Sequence, residues 1–274
     1  MSIDLSIGLV LYNSPPRVLE ETREHLSRAL EFVECHRDSF SWTLELIDNS
    51  ETPQLSTAEL AHWPGNVNYR HGHGNIGFGR AHNLVLSNST ARFHLILNPD
   101  VSLTQDALLT GLSYLEKDQS SVMVCPDGTS AEGVPLYLAK RYPSVLVLAL
   151  RALRLNFLNR LLDSRIAYYE CHDLVDKQQP GIVPITSGCC MLGKTSALKA
   201  VSGFSDDFFL YFEDFDLSLR LAAQGSINYL PEMRIGHAGG NASRKGLNHI
   251  IKFCRSAYIF FNKHGWDWCG TPDK

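Results

Sequence analysis

Residues 93–101 read FHLILNPDV, an apolar segment that stops at Asn98, Pro99 and Asp100. The segment 93–97 has the length and composition of a buried β-strand, so these three residues fall at its carboxyl end. Three earlier strands are predicted, at 5–11, 42–47 and 67–69. Each is followed by polar or glycine-rich residues, and strands that alternate with helices form parallel sheets that bind ligands at their carboxyl ends. The sequence therefore predicts an α/β fold with a ligand site at one edge of the sheet.

Helices are predicted between these strands. Ser14 is expected to cap the first helix and Pro15 to be its first residue, because serine caps helices and proline tolerates that position. The predicted buried face of this helix consists of Leu19, Leu26, Leu30 and Val33. Another helix is predicted at 79–86.

The second half of the chain has a less regular pattern. Helices are predicted at 105–115, 195–201, 213–224 and 245–264, and strands at 122–125, 182–185, 189–192, 227–230 and 234–237. A linker rich in proline or serine does not occur, so the 274 residues are expected to form a single domain.

Composition excludes several classes of protein. With 44% hydrophobic and 20% charged residues, the chain is neither collagen-like nor disordered. Its net charge of −4 argues against binding to nucleic acid. The longest apolar run, 145–150, is far shorter than the roughly 20 residues that span a bilayer, and the first residues lack the basic region of a signal peptide. Seven cysteines without a C-x-x-C pair suggest reduced thiols, so a cytoplasmic protein is expected.

The carboxylate of Asp100 is the first candidate for chemistry. A strand-end carboxylate held by a rigid proline suits a hard divalent cation such as Mg²⁺, which combines one or two carboxylates with phosphate oxygens. The alternative is an Asn-Pro-Asp turn that only closes the strand.

A second acidic cluster, residues 213–216 (EDFD), is predicted to begin a helix. Acids in a first turn interact favourably with the helix dipole, and Asp216 can pair with Arg220, so a structural role explains most of the cluster. Residues 207–212 read DFFLYF, however, and a carboxylate among aromatic rings should have a raised pKa suited to general-base catalysis.

Two further residues are candidates for ligand binding. His237 follows a predicted strand and precedes Ser243, Arg244 and Lys245, which would suit a phosphate, although a single histidine is usually a packing or surface residue. Asp48 ends a predicted strand, where its carboxylate would accept an N–H group from a nucleotide base or form an Asx-turn.

Several short motifs occur in order along nearly the whole chain. They are Tyr12-Asn13, Asp48-Asn49-Ser50, Asn75-Ile76-Gly77-Phe78-Gly79 with Asn83, Leu97-Asn98-Pro99-Asp100-Val101, Ser187-Gly188, Gly203-Phe204, the segment 209–217 (FLYFEDFDL) and His237. Together they resemble the motifs of the family 2 glycosyltransferases of GT-A fold, specifically the bacterial rhamnosyltransferase-like branch. The resemblance implies a Rossmann-like, mixed but mainly parallel sheet flanked by helices.

The resemblance also implies roles for individual residues. Asp214 would be the catalytic base, with Glu213 beside it, and Asp100 and His237 would bind Mg²⁺ or Mn²⁺. The residues expected to bind the nucleotide sugar are Tyr12, Asn13, Asp48, Asn75, Gly77, Arg80, Asn83, Asn98 and Arg244. Residues 1–100 would form the nucleotide-sugar-binding half, 101–240 the acceptor and catalytic half, and 241–274 a C-terminal basic helix.

The expected activity is inverting, metal-dependent transfer of a sugar, with rhamnose the first choice, from a dTDP- or UDP-linked donor. The acceptor would be a hydroxyl of a glycan or of a lipid-linked molecule in cell-surface polysaccharide synthesis. A sugar-1-phosphate nucleotidyltransferase is the alternative enzyme, but it would carry a glycine-rich signature with Arg and Lys after the first strand. A non-catalytic nucleotide-sugar binder would be expected to lack Asp100, Asp214 or His237.

The stretch 136–165 combines apolar residues with six bases and one acid. The charged residues are Lys140, Arg141, Arg151, Arg154, Arg160, Arg165 and Asp163. One interpretation is peripheral contact with the inner face of the plasma membrane or with a lipid-diphosphate acceptor. The other is an amphipathic helix that covers the sheet.

Overall fold

The computed structural model describes residues 3–65, 67–153, 163–238 and 247–270. The strands are β1 (Leu5–Leu11), β2 (Trp42–Asp48), β3 (Val67–Arg70), β4 (Phe93–Leu97), β5 (Val101–Leu103), β6 (Ser121–Thr129), β7 (Ala139–Lys140), β8 (Gly181–Ile182), β9 (Ile185–Thr186), β10 (Cys190–Lys194) and β11 (Ser226–His237). The helices are α1 (Pro16–His36), α2 (Thr57–Leu60), α3 (Phe78–Leu86), α4 (Ala107–Lys117), α5 (Val145–Leu153), α6 (Asp163–Tyr169), α7 (His172–Val175), α8 (Thr195–Ala200), α9 (Glu213–Leu221) and α10 (Leu247–His264).

One large mixed sheet organises the fold, with strands in the order β3-β2-β1-β4-β10-β6-β11-β5 and β8 paired to β11. The first four strands in this order run parallel to one another. The direction then changes, because β10 is antiparallel to both β4 and β6. This confirms the predicted mixed α/β sheet, in which the described strands form four parallel and four antiparallel pairs. It also places the end of β4 and the start of β10 at the same edge.

The core explains why these segments pair. Every residue of β1 is buried, as expected of a strand covered on both faces. The predicted apolar stripe of α1 is buried as well: Leu19, Leu26, Leu30 and Val33 are each at most 4% exposed. A separate aromatic cluster of Phe208, Phe212, Phe260 and Phe261 packs α10 against the segment that leads into α9.

Proline explains three differences from the predicted boundaries. Helix α1 begins at Pro16 and not at Pro15, and Ser14 does not cap it. Pro16 holds the preceding residue in an extended conformation, so Pro15 has ψ 135° and cannot be helical. The predicted strand 182–185 is two short strands in different sheets, with Pro184 between them lacking the N–H that a ladder needs.

The two strands predicted at 227–230 and 234–237 form one long strand, β11. Its register against β6 shifts between Leu230 and Arg234, next to Pro231, so the irregularity is a bulge rather than a strand end. None of the helices within the described ranges is long and apolar enough to cross a membrane.

Candidate active site

The dipeptide Gly188-Cys189, which leads into β10, connects the segment 98–100 with the acidic cluster 213–216. The backbone N–H of Asn98 donates to the carbonyl of Cys189 at 2.8 Å. The backbone N–H of Gly188 donates to Asp214 Oδ2, also at 2.8 Å. Antiparallel β10 thus brings the residues after β4 and the first turn of α9 to the same edge of the sheet.

Asp214 is held by backbone donors on both carboxylate oxygens, because the N–H of Phe215 donates to its Oδ1 at 3.0 Å. Burial raises the pKa of Asp214 even though these donors favour the charged form. A Cβ atom at position 188 would lie 3.1 Å from the Cβ of Asp214, so glycine at this position allows the close approach. The carboxylate is therefore fixed in position and unusually basic.

Glu213 lies beside Asp214 and is almost fully buried, with 5% of its surface exposed. Its Oε2 has no hydrogen-bond partner within the described part of the chain. Burial and the neighbouring Asp214 raise the pKa of Glu213 to about 8. The two residues before it, Tyr211 and Phe212, have φ angles of 71° and 65°, which bulky side chains rarely adopt. A strained turn therefore presents the acidic pair.

Asp100 and His237 are brought together by the pairing of β5 with β11, in which His237 lies opposite Val101. The Nε2 atom of His237 is 3.1 Å from Oδ1 of Asp100. The N–H of Ala238 also donates to the backbone carbonyl of Asp100 at 3.0 Å. The structure thus unites two of the residues that the sequence suggested as metal ligands.

The donor set at this point is one carboxylate and one imidazole. Among the residues that the structure describes, no group of three or more His, Cys, Asp or Glu side chains could hold a metal ion. Asn98, two residues before Asp100, has a buried Oδ1 without a hydrogen-bond partner in the described ranges. Such a set fits an ion like Mg²⁺ that completes its coordination with water and substrate phosphate oxygens.

Asp48 is fully buried at the end of β2 and forms an Asx-turn. Its carboxylate accepts the N–H groups of Ser50 at 2.9 Å and Gln54 at 2.8 Å, and the hydroxyl of Tyr69. Burial opposes ionisation, but these hydrogen bonds outweigh it and hold the pKa of Asp48 below its usual range. Burial, together with the hydrogen bond to Asp48, raises the pKa of Tyr69 to about 12. The structural alternative for Asp48 is therefore present, and its contact with a base stays a prediction.

Tyr12 and Asn13 follow β1 at the same edge. The ring of Tyr12 is 55% exposed, which leaves an aromatic face available for stacking. The backbone N–H of Asn13 donates to Ser50 Oγ at 3.0 Å, and its φ of 48° turns the chain sharply. Nucleotide binding by these two residues is a prediction that the geometry leaves standing.

The glycine-rich segment before α3 docks on the loop that leads to α9. Asn75 Oδ1 accepts the N–H of Gly77, and the N–H of Phe78 donates to the carbonyl of Phe209 at 3.3 Å. Gly77 has a φ of 90°, and a Cβ atom there would lie 2.5 Å from the Phe209 oxygen. Glycine is required at this close contact. Asn49, which the sequence analysis did not select, donates to the Gly77 carbonyl at 3.1 Å.

Arg80 and Asn83 fasten α3 to the same loop. The Asn83 amide donates to the carbonyl of Phe204 at 2.8 Å and accepts the Phe204 N–H at 2.9 Å. Arg80 donates to the carbonyl of Asp206 at 2.7 Å. These contacts give both side chains a structural role, and their nucleotide contacts remain predictions. Arg244 lies outside the described residues.

A cluster of ion pairs around half-buried Glu170 had no signal among the motifs. Glu170 accepts from Lys140 at 3.2 Å and also pairs with Arg151. Burial, with the charge of Arg151 nearby, lowers the pKa of Lys140 to about 8. Burial raises the pKa of Tyr169, and the charge of Asp214 adds to that rise. Tyr169 also lines a cavity of about 300 Å³.

Residues 6–202 match the sequence profile described as Glycosyl transferase family 2, which is more than half of the chain. The chain belongs to this family. The protein is a glycosyltransferase, and the matched segment includes Asp48, Asp100 and Gly188. Asp214 and His237 lie beyond it, and only the folded structure connects them to these residues.

Two curated relatives are rhamnosyltransferases. The glycosyltransferase is 26% identical over 245 residues to N-acetylglucosaminyl-diphospho-decaprenol L-rhamnosyltransferase of Mycobacterium tuberculosis, an alignment that covers 83% of this chain and 76% of the relative. It is 27% identical over 189 residues to rhamnosyltransferase WbbL of Escherichia coli, which covers 66% of this chain and 67% of the relative. The resemblance to the rhamnosyltransferase-like branch is confirmed.

Solved structures confirm the GT-A fold. The chain superposes on residues 1–349 of S. aureus TarS with a TM-score of 0.56 at 16% identity, covering 86% of this chain and 60% of that one. It superposes on GalNAc-T7, crystallised with UDP, GalNAc and Mn²⁺, with a TM-score of 0.60 at 13% identity, covering 86% and 43%. The glycosyltransferase thus spans less than two thirds of either solved chain.

Proposed function

We propose that this glycosyltransferase transfers rhamnose from a dTDP- or UDP-linked donor to a hydroxyl of a glycan or lipid-linked acceptor in cell-surface polysaccharide synthesis, with inversion. The observation that carries the mechanism is the pair of hydrogen bonds made by Gly188-Cys189, one to Asp214 and one to Asn98. Burial, followed by the carboxylates of Asp100 and Asp214, raises the pKa of the Cys189 thiol to about 12. The carboxylates of Asp100 and Asp214 therefore both influence the buried sulfur of Cys189, as expected if the two carboxylates belong to a single site.

The leaving nucleoside diphosphate needs neutralisation of its developing negative charge. A divalent ion such as Mg²⁺ or Mn²⁺ supplies that when bound, and Asp100 and His237 would hold it. The solved GalNAc-T7 structure contains UDP and Mn²⁺, which supports metal use by analogy of fold. We place the nucleotide-sugar half in residues 1–100 and the catalytic half in 101–240, because Asp100 and Asp214 approach the edge from these two parts.

Asp214 acts as the base that removes the proton of the acceptor hydroxyl. Its raised pKa strengthens its attraction for a proton, and its two backbone donors keep it oriented. Burial and the neighbouring Asp214 raise the pKa of Glu213 to about 8, so Glu213 holds its proton more strongly than an ordinary glutamate. One charged carboxylate opposite the leaving group suits a single displacement with inversion, whereas retention would need a second one as nucleophile.

Rhamnose and the lipid-linked acceptor are proposed from the relatives. Both curated relatives are named rhamnosyltransferases, and the name of the mycobacterial one specifies a diphospho-decaprenol acceptor. The expected peripheral contact of 136–165 with the inner face of the plasma membrane belongs to the same proposal. Of its bases, Arg154 and Arg160 lie outside the described residues, while Arg141 and Arg151 form ion pairs with Asp173 and Glu170.

The test is metal-dependent donor hydrolysis in the absence of acceptor, measured over a panel of nucleotide sugars that includes dTDP-rhamnose and UDP-sugars. We expect slow release of nucleoside diphosphate from one rhamnose donor, abolished by EDTA. Pyrophosphate release from a nucleoside triphosphate and a sugar 1-phosphate would instead indicate a nucleotidyltransferase. Tight donor binding without any turnover, even with lipid-linked acceptors, would indicate a binding protein.

A further inference from the structure

The outward face of α10 and the turn after it expose several large apolar side chains. The aromatic C-terminal face consists of Ile250 (57% exposed), Ile251 (65%), Tyr258 (60%), Trp266 (42%) and Trp268 (63%). The ring of Trp266 lies 6.1 Å from that of Tyr258 and stacks on Trp268 at 5.0 Å. Single apolar residues are normal on a soluble surface, but three exposed aromatic rings in contact, on a helix that also exposes two isoleucines, indicate an interaction site.

Helix α10 is anchored by its other side, so this exposure is fixed by the fold. Phe260 and Phe261 are buried in the aromatic cluster, and the hydroxyl of Ser256 donates to the carbonyl of Leu210 at 2.8 Å. An ordinary surface helix buries its apolar stripe and exposes polar residues. This helix buries one apolar stripe and exposes a second one, at positions such as 251 and 258.

The formally charged side chains of α10 are all basic. Residues 247–264 contain Lys252, Arg255 and Lys263 and no Asp or Glu, in a chain whose net charge is −4. Lys263 is engaged with Asp216, whereas Lys252 lies over the ring of Phe209 at 4.9 Å and Arg255 is exposed. Asp267, between the two tryptophans, accepts the N–H of Gly270 at 2.7 Å.

We propose that the aromatic C-terminal face is a docking surface for an anionic phospholipid bilayer, on which α10 lies flat. Tryptophan and tyrosine favour the headgroup level, isoleucine reaches the acyl boundary, and lysine and arginine attract anionic headgroups. The charge complementarity selects a bilayer over a second copy of this chain, because two copies would bring the same bases together. The inference extends the proposed function, because membrane docking would serve a lipid-linked acceptor. The docking surface itself is argued from the exposed side chains and charges of α10.

Docking here would bring the active site to the membrane. The hydroxyl of Tyr211 and Nδ1 of His249 in α10 lie 2.9 Å apart, and Tyr211 is two residues before Glu213. The helix that would contact the bilayer therefore also contacts the turn that presents the acidic pair. This is the position from which the enzyme would reach a hydroxyl on a lipid-linked acceptor.

Vesicle sedimentation with the full chain tests the inference, using phosphatidylcholine vesicles with and without phosphatidylglycerol. Ile251→Ser with Trp268→Ser should reduce the partition coefficient about tenfold or more, because two well-exposed side chains lose the apolar area that enters the bilayer. The matched control is Val134→Ser with Ile182→Ser, which removes apolar side chains that are 57% and 73% exposed away from α10 and should change nothing. Lys252→Gln with Arg255→Gln should weaken binding only to the anionic vesicles.

Three results would overturn the inference. They are failure of the wild-type chain to bind anionic vesicles at low salt, equal binding by the α10 variant and its control, and a dimer that the α10 variant converts to monomer without any vesicle binding. Asp214→Asn should bind vesicles like wild type. Intact vesicle binding without sugar transfer would therefore contradict only the proposed function, and intact donor hydrolysis without vesicle binding only the docking surface.

Discussion

Asp100 and His237 are 137 residues apart in the chain, yet Oδ1 of one and Nε2 of the other are separated by 3.1 Å. The contact follows from backbone pairing, since β5 and β11 place His237 opposite Val101, next to Asp100. A pair positioned by two paired strands keeps its geometry before any substrate arrives. In the proposed function this pair would supply two ligands of a metal ion, and phosphate oxygens and water would supply the others.

Asp100→Ala and His237→Ala should each weaken binding of a nucleoside diphosphate in Mg²⁺ or Mn²⁺ and leave binding in EDTA nearly unchanged. The reason is that each variant removes a metal ligand and not a contact to the nucleotide itself. Isothermal titration calorimetry with and without metal measures the difference, with exposed Asp38→Ala as the control. An equal loss in both buffers would show that these residues are not metal ligands.

Gly188→Ala should lower kcat with little effect on donor affinity. The new Cβ would lie 3.1 Å from the Cβ of Asp214, so the carboxylate must move away from its N–H donor. Because catalysis depends on placement to within about an ångström, we expect a loss of roughly 10- to 100-fold. Steady-state kinetics alongside donor titration checks this, and an unchanged kcat would mean that the Gly188 contact does not position the base.

The buried Glu213 should make folding stability depend on pH. Its pKa is raised from 4.5 to about 8 in the folded chain, so over this range the unfolded chain releases a proton that the folded chain keeps. Stability is then fully retained at acid pH and falls as pH rises, by up to about 1.4 kcal/mol per pH unit. Thermal unfolding of wild type and Glu213→Gln across this range should show a Tm gap that widens in favour of Gln. Parallel Tm curves would contradict the assignment.

Asn83→Ala should destabilise the fold, since it removes both hydrogen bonds to the Phe204 backbone and leaves those groups unpaired. We expect a loss of about 1–3 kcal/mol in the free energy of unfolding. Asn88→Ala, which removes one exposed hydrogen bond to Leu84, is the matched control. Denaturant unfolding measures both. A stable Asn83→Ala variant with weakened donor binding would favour the ligand role that the motif implies.

The sequence was sufficient to predict the elements and the edge at which the site lies. Alternation of apolar segments with strand-end polar residues located β1, β2 and β4, and Asp48 and Asp100 with them. The same reasoning could not decide what Asp48 and Asn83 do, because the residue types that bind ligands also form turns and caps. Only the folded chain shows Asp48 bonded to Ser50, Gln54 and Tyr69.

Contacts between distant segments were the part that the sequence could not reveal. The apolar pattern of 245–264 predicted a helix, but which stripe of α10 faces inward depends on packing against Phe208 and Phe212. The basic charge of 136–165 led to the prediction of a membrane contact in that stretch. The exposed aromatic side chains instead lie on α10 and the turn after it. Similarly, the burial of Glu213 depends on the strained turn at Tyr211 and Phe212, which has no local sequence signature.

The most direct test of the account is kcat for Asp214→Asn with the cognate donor and acceptor. Asparagine keeps the size of the side chain, and its one carbonyl oxygen can still accept the Gly188 N–H, while the hydrogen bond from the Phe215 N–H is lost. The fold and the donor affinity should be largely retained, because neither depends on this one bond. Loss of the base should reduce kcat by about 10²–10⁴, the usual contribution of general-base catalysis. A near-normal kcat with unchanged donor affinity would contradict the assignment of Asp214 as the catalytic base.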